Sequence, residues 1–453
     1  VSISNKEIIV KAPPSFIEEK KYVFDILFQT ILGLDYDFLI DSNIADYEIC
    51  YKESKIIIKD VFFNSLEESE EYYFKQELIP NKLAYINESV CGIDKIPVIY
   101  GDGDVSRENS RIRIESDLIA SAFFMLTRWE EIAIKERDQH GRFPEEISYV
   151  IKHNIQHLPI VNIYAELLVK MLQEFGLKHL SKKEYQVYLT HDIDDFVRYD
   201  KFSKFVKALV GDIVKRFSIK AYFQTLSDYF KIKLKKLADV YDTFDFLMNE
   251  SDRIGVKSHF YFIAGKPGEN DVRFDIDHSD VQKKILTVLE NGHHVGIHPS
   301  YDTYCNLEQL NVEINRLKKY NCNVLEGRQH YLRFKIPQTW NDWSNSGLKV
   351  DSSLGFYANI GFRCGICNEY ETFDVIASKK TGVNERPLIV MDTALKLVSS
   401  SKEDAVGLVK EISDTVRCFK GDFVLLWHNS NLTRNEWYDW DKVYIDILDN
   451  VKE

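Results

Sequence analysis

No stretch of this 453-residue chain is apolar for long enough to cross a bilayer. The first twenty residues, Val1 to Lys20, contain no apolar core of the kind that marks a secretory leader. These two absences set the expectation of a soluble, cytoplasmic protein. Cysteine is scarce and scattered, at Cys50, Cys91, Cys305, Cys322, Cys364, Cys367 and Cys418. An odd, dispersed set does not resemble the disulfide framework of a small secreted domain. The Cys364-Gly-Ile-Cys367 pair has no second pair to complete a zinc site, so it reads as two buried thiols. Positive charge is in deficit as well. A formal net charge of −13 excludes a nucleic-acid binder working through overall charge.

What remains is ordinary globular material. Hydrophobic residues make up 45% and charged residues 28%, enough for a sizeable core and against global disorder. The length suggests two or three domains. The 25 Tyr and 28 Phe are first of all core residues, although aromatics also line sugar clefts.

Residues 1–115 alternate short strand and helix patterns, a mixed α/β unit with no grouping of catalytic side chains. Residues 116–180 are helical and connect the halves. Ser116 is placed to cap a helix running from Asp117 to Ile134, and Val161 to Phe175 has the period of a second helix. Residues 181–453 alternate helix and strand, the rhythm of βα units and a parallel sheet or barrel. One segment stands apart. Lys201 to Lys236 holds ten Lys or Arg against Asp212 and Asp228, interleaved with Phe202, Phe205, Phe217 and Phe223. Such a stretch suits peripheral contact with an anionic membrane surface or a diphosphate, and a solvated face balancing an acidic protein is the simpler alternative.

The chemistry-bearing residues cluster at predicted strand ends. Tyr185 to Thr190 alternates as a strand and runs into His191, Asp192, Asp194 and Asp195. Carboxylates this close repel one another, and a cation removes that penalty. An Asp-rich turn with Asp195 capping a helix is the alternative. Further strands run into His298, Asp392 and His428. In βα folds the loops after the strands converge on one mouth, where catalytic groups sit.

The ordered segments Thr190-His191-Asp192-Ile193-Asp194, Gly292 to Asp302, Arg328-Gln329-His330-Tyr331, Val350 to Phe356 and Leu425-Leu426-Trp427-His428-Asn429 resemble the motifs of polysaccharide deacetylases. These are the NodB-homology, family-four carbohydrate esterases. Upstream, Ala120 to Phe124 and Arg128-Trp129-Glu130-Glu131 resemble the N-terminal region of a bacterial subgroup. The resemblance implies a distorted (β/α)7 barrel over 181–453, preceded by the smaller domain. It implies one divalent metal ion, often zinc, and hydrolysis of an N- or O-acetyl group on a sugar, oligosaccharide, or lipid- or nucleotide-linked glycan of bacterial surface-polysaccharide metabolism. Carried over by motif, Asp192 is the base, Asp194 and His298 are ligands, and His428 protonates the leaving group. Arg328 holds Asp192 ionised and oriented, and Leu426 lines a pocket for the acetyl methyl.

Two positions depart from the family pattern. Its second ligand histidine falls on Asp302, so the expected triad is Asp194, His298 and Asp302, with His293 and His294 in reserve. The two prolines of the third motif are Gln329 and His330. Arg333 is a substitute for Arg328, and Asp392 either orients His428 or caps a strand end. Asp351 reads as a turn residue. Two rival readings follow from the departures and from the fold: a degenerate deacetylase that binds a glycan or a partner protein, and an amidohydrolase of small C–N substrates.

Overall fold

The computed structural model describes residues 6–452 apart from 67–72, 179–182, 199–201, 215–216, 235–238, 269–270, 272–273, 321–322 and 433–436. Cys322 and the basic residues Lys201, Lys215, Arg216, Lys235 and Lys236 therefore lie outside the described residues.

The N-terminal part builds strands β1 (Ile8–Ala12), β2 (Asp37–Ile40), β3 (Tyr47–Tyr51), β4 (Ser54–Ile58), β5 (Ala84–Ile86), β6 (Ile96–Val98), β7 (Gly101–Glu108) and β8 (Arg111–Ser116). Six of them form a mixed sheet in the order β2-β1-β3-β4-β8-β7, while β5 and β6 pair separately. In β1 and β3 alternate residues are buried, because the sheet turns one face to a helix layer. The C-terminal part contributes β9 (Gln186–Ile193), β10 (His259–Phe262), β11 (His294–Ile297), β12 (Glu326–Gly327), β13 (Val350–Asp351), β14 (Tyr370–Asp374), β15 (Lys379–Glu385), β16 (Val390–Met391) and β17 (Asp422–Leu426). Their order is β14-β15-β13-β12-β11-β10-β9-β17-β16. Every pairing is parallel except that of β14 with β15. Helices cover this sheet, so β10 and most of β9 are buried on both faces.

The parallel βα sheet expected of a distorted (β/α)7 barrel is present, but it does not close on itself. Among the described residues the sheet keeps two ends, β14 and β16, with no ladder between them. The physical reason lies at the β14 end. An antiparallel hairpin terminates the parallel run there, and the N-terminal helices pack against it: Tyr22 lies 4.8 Å and Phe123 5.9 Å from the Phe373 ring. Covering that edge also hides strand groups that would otherwise be open to another chain. One continuous hydrophobic core runs through both halves, from Ile8 to Val451.

Local details differ from the sequence reading. Asp117, not Ser116, caps the helix Leu118–Thr127, its Oδ1 accepting from the Ala120 N–H at 2.8 Å. That helix stops at Thr127 because Arg128 turns left-handed (φ 52°) and is buried against Glu130 and Glu131, donating also to the Arg363 carbonyl. Among the described residues no helix starts directly after Asp195, and the next one begins at Phe202. Cys364 and Cys367 are buried free thiols, as expected, but Cys91 and Cys418 form a disulfide across 327 residues of sequence. No described helix is long and apolar enough to cross a membrane.

Candidate metal centre and catalytic pocket

Because β9, β11, β12, β16 and β17 run parallel, the residues that follow them emerge on one side of the sheet. β9 extends through His191 and Asp192 to Ile193, three residues beyond the alternating pattern. In that register Asp192 stands beside Tyr261. His298 follows β11, and Arg328 follows β12. Ile297 pairs with Gly327 so closely that a Cβ on Gly327 would stand 1.9 Å from the Ile297 carbonyl oxygen. Glycine at 327 is thus what brings Arg328 alongside His298.

Three side chains converge. Asp194, His298 and His330 each present a ligand atom within 4.8 Å of the others, and no other such group of three exists among the described residues. Asp194 Oδ1 lies 3.4 Å from His298 Nε2 and 3.6 Å from His330 Nε2. It is buried and makes no hydrogen bond of acceptable geometry. Ligands ~2.1 Å from a common tetrahedral ion stand roughly 3.4 Å apart, so these separations fit a zinc-sized ion. The far ring nitrogens are held as metal ligands usually are. His298 Nδ1 donates to the Arg328 carbonyl at 2.5 Å, and His330 Nδ1 faces Asp271 Oδ1 at 3.4 Å. Each ring therefore turns its Nε2 toward Asp194. Burial alone would raise the Asp194 carboxyl, but the His298 contact and the nearby His330 and His428 rings hold it well below the usual carboxylate range.

Asp302 does not join this group. After Ser300, bound by Glu313 through its N–H at 2.9 Å, the chain makes a short 3-10 turn at Tyr301–Thr303. The helical i+4 relation between His298 and position 302 is therefore never realised. Asp302 instead lines a separate cavity with Lys266, Asp271 and Arg316. Its expected place is taken by His330, carried by a left-handed pair, Tyr331 (φ 60°) and Leu332 (φ 51°). The reserve residues are elsewhere. His293 Nδ1 accepts from the Ser258 N–H, and His294 stacks on His259 at 4.4 Å, at the opposite ends of their strands. His191 is enclosed between the Trp427 carbonyl and Ser258 Oγ, and burial pushes it down to about 3, a neutral core histidine.

Around the centre stand the other expected groups. Asp192 Oδ1 accepts from Arg328 at 2.9 Å, and its Oδ2 lies 3.7 Å from His298 Nε2. Arg328 is fully buried and is itself fixed by Thr190 Oγ1, the Ser352 carbonyl and Ser352 Oγ. Arg333 points away, donating to the His140 and Tyr301 carbonyls. His428 Nδ1 donates to Asp392 Oδ1 at 2.8 Å, and Asp392 also accepts from the His428 and Asn431 nitrogens. That leaves His428 Nε2 facing the pocket, 3.7 Å from Asp194 Oδ2. Burial disfavours its charge, but Asp392, Asp194 and Asp192 outweigh this and push it up to about 10. Asp351 is buried in its turn, its carboxylate accepting from Ser353.

Asp192, Asp194, His298, His330 and His428 line a cavity of about 330 Å³ whose apolar side is Leu332, Met391 and Leu426. Two lining residues, His140 and Arg142, come from the loop before Pro144, far upstream. The Arg142 guanidinium lies 3.8 Å over the Tyr357 ring and donates to the Tyr331 carbonyl. The sequence reading left this loop without a role, and it left Asp271 out altogether. Only the polar composition of Asp138 to Pro144 was visible in advance.

Residues 8–177 match a family described as of unknown function, DUF7033. No curated protein matches the chain. Among solved structures it is similar to a "putative polysaccharide deacetylase" from Mycobacterium smegmatis, at 12% identity and a TM-score of 0.38, covering 61% of this chain and 86% of that one. It is similar to the chitin deacetylase of Colletotrichum lindemuthianum at 12% identity and 0.29, covering 60% and 84%. The carbohydrate deacetylase Agd3 matches at 7% identity and 0.33, covering 77% of this chain and 57% of that one. At these identities and TM-scores the likenesses carry no weight in the functional reading.

Proposed function

We propose that the protein is a metal-dependent hydrolase that removes an acyl group, an acetyl first of all, from an N- or O-acylated sugar. The observation that carries this reading is the shared pocket: an Asp-His-His donor set flanked by Asp192 on Arg328 and His428 on Asp392. With this reading goes the architecture of an opened (β/α)7 barrel. The donor set of one carboxylate and two imidazoles suits zinc, and three protein ligands leave a position for chemistry.

An amide or ester carbonyl is a poor electrophile, and water is a poor nucleophile at neutral pH. Asp194, His298 and His330 would hold a divalent ion, which when bound would polarise the carbonyl and acidify water. The chain's own groups do the rest. Asp192, oriented by Arg328, accepts the proton of the attacking water at its free Oδ2. His428 carries a proton on Nε2 because Asp392 holds its other nitrogen, and it delivers that proton to the departing amine or alkoxide. Leu426, Leu332 and Met391 offer an apolar seat for an acyl methyl. The degenerate-fold alternative rested on a missing third ligand, and His330 supplies the donor that Asp302 does not.

The test is acetate release from acetylated chito-oligosaccharides and acetylated xylan by protein loaded with zinc. Asp192→Asn is expected to lower the rate by at least ~100-fold while metal content and melting temperature are kept. No release from any acylated sugar by fully loaded wild-type protein would refute the reading.

A further inference from the structure

Between β9 and the helix Phe244–Arg253 the chain leaves the sheet and builds a hairpin of two helices, Phe202–Val214 and Ile219–Lys233. The helices hold each other. Phe205 stacks on Tyr229 at 3.8 Å, and Thr225 Oγ1 donates to Asp212 Oδ2 at 2.7 Å. Among the described residues, neither packs comparably against any other helix or strand.

The outward side is apolar. On the first helix Phe202, Val206, Val210 and Ile213 recur every three or four positions, each at least 41% exposed. On the second, Ile219 and Phe223 continue the stripe, and Phe217 at the turn is 87% exposed. An uncovered apolar stripe of this kind marks an interaction surface. Its charge indicates what covers it. The segment 201–236 has ten Lys or Arg and two acids in a chain of net charge −13. Both acids, Asp212 and Asp228, are buried inside the hairpin, while Lys207, Lys220, Lys231 and Lys233 are exposed.

We propose that this hairpin docks the protein on the anionic face of a lipid bilayer. The apolar stripe enters the boundary between headgroups and acyl chains, and the lysines remain among the anionic headgroups. A second copy of the chain fits the surface less well, because two such hairpins face to face bring positive charge against positive charge. The chain also leaves for this hairpin beside the catalytic mouth. It departs from the strand end that carries Asp194, and Asn429, next to His428, donates to the Asp195 and Tyr241 carbonyls at its base. Docking therefore holds the mouth at the membrane surface, whatever the site does there.

The test is co-sedimentation of the full chain with vesicles of phosphatidylcholine alone and of phosphatidylcholine mixed with phosphatidylglycerol. Binding is expected to the mixed vesicles and not to the neutral ones. Lys207→Glu with Lys231→Glu should weaken it at least ~10-fold, at about a factor of five for each lysine near an anionic surface. Val210→Ser with Phe217→Ser should abolish it and leave the melting temperature unchanged, since both side chains face solvent. The proposal is overturned if anionic vesicles do not bind, or if neither pair of substitutions weakens binding. It is equally overturned if sedimentation velocity shows a dimer that Val210→Ser with Phe217→Ser turns into a monomer.

Discussion

His330 and Asp302 show how single residues decide which side chains meet Asp194 and His298. Both are near His298 in space or sequence, and only one shares its donor position. His330 reaches Asp194 because two successive left-handed residues, Tyr331 and Leu332, turn the chain back after β12. Such conformations in non-glycine residues cost on the order of 1–3 kcal/mol and persist where the surroundings enforce them. Asp302 is carried away by the 3-10 turn that follows Ser300. The two readings separate cleanly by metal content. His330→Ala should lower zinc affinity by at least ~10-fold, the effect expected for loss even of a supporting group, whereas Asp302→Ala should leave it unchanged. Competition with a chromophoric chelator measures both. Equal losses in the two variants would put Asp302 back among the ligands.

At the level of elements, the helix Leu118–Thr127 is organised by its first residue. Asp117 is fully buried, with one oxygen capping the Ala120 N–H and the other accepting from the Val61 and Phe62 N–H groups at 2.9 and 3.0 Å. It thus joins the helix start to the loop after β4. Asp117→Ala removes a cap and strands two buried donors, which should cost roughly 2–4 kcal/mol in urea unfolding. A loss below ~1 kcal/mol would mean that water replaces the carboxylate there. The sequence located this helix by its apolar run but extended it to Ile134. It could not show that Arg128 would be drawn into a buried network with Glu130, Glu131 and Arg363, which ends the helix at Thr127. The elements of the large sheet were legible for a simple reason. Fully buried parallel strands are short apolar runs, and Phe423 to Leu426 or Phe260 to Phe262 announce themselves.

Buried acids distribute a pH dependence over the whole molecule. Burial, with Asp60 nearby, pushes Asp117 up to about 7, and burial pushes Asp351 up to about 7 beside Glu385, which burial likewise raises well above its usual value. Each is raised in the folded chain above its unfolded value, so the folded state holds more protons between about pH 4 and 7. Their contribution to stability therefore falls as pH rises through that window. The opposite sign applies to Glu326. Burial opposes its charge, but His259 and Arg386 hold it down to about 2, so its contribution is present above pH 4.5 and lost toward pH 2. His191, pushed down to about 3 by burial, opposes these acids below about pH 6.5, so they are read by difference: between pH 5 and 7 the melting temperature of Asp351→Asn should gain on that of the unaltered chain. A difference between the two melting temperatures that stays constant from pH 5 to 7 would contradict this.

The same scale decides what the chain by itself determines. Composition and apolar runs were enough for a mixed α/β chain with βα repeats, and for Asp192, Asp194, His298, Asp392 and His428 at or just past the strand ends, while Arg328 entered through the family resemblance alone. Those are local properties, set by residue type and spacing. The third donor, the open sheet and the part played by residues 138–145 in the pocket were decided only by tertiary structure. Each depends on where a loop ends after packing: β12 beside β11 through Gly327, the N-terminal helices against the β14 edge, and the Asp138–Pro144 loop over the strand ends. Contacts between residues hundreds of positions apart leave no periodic trace in the sequence, because no local spacing encodes them.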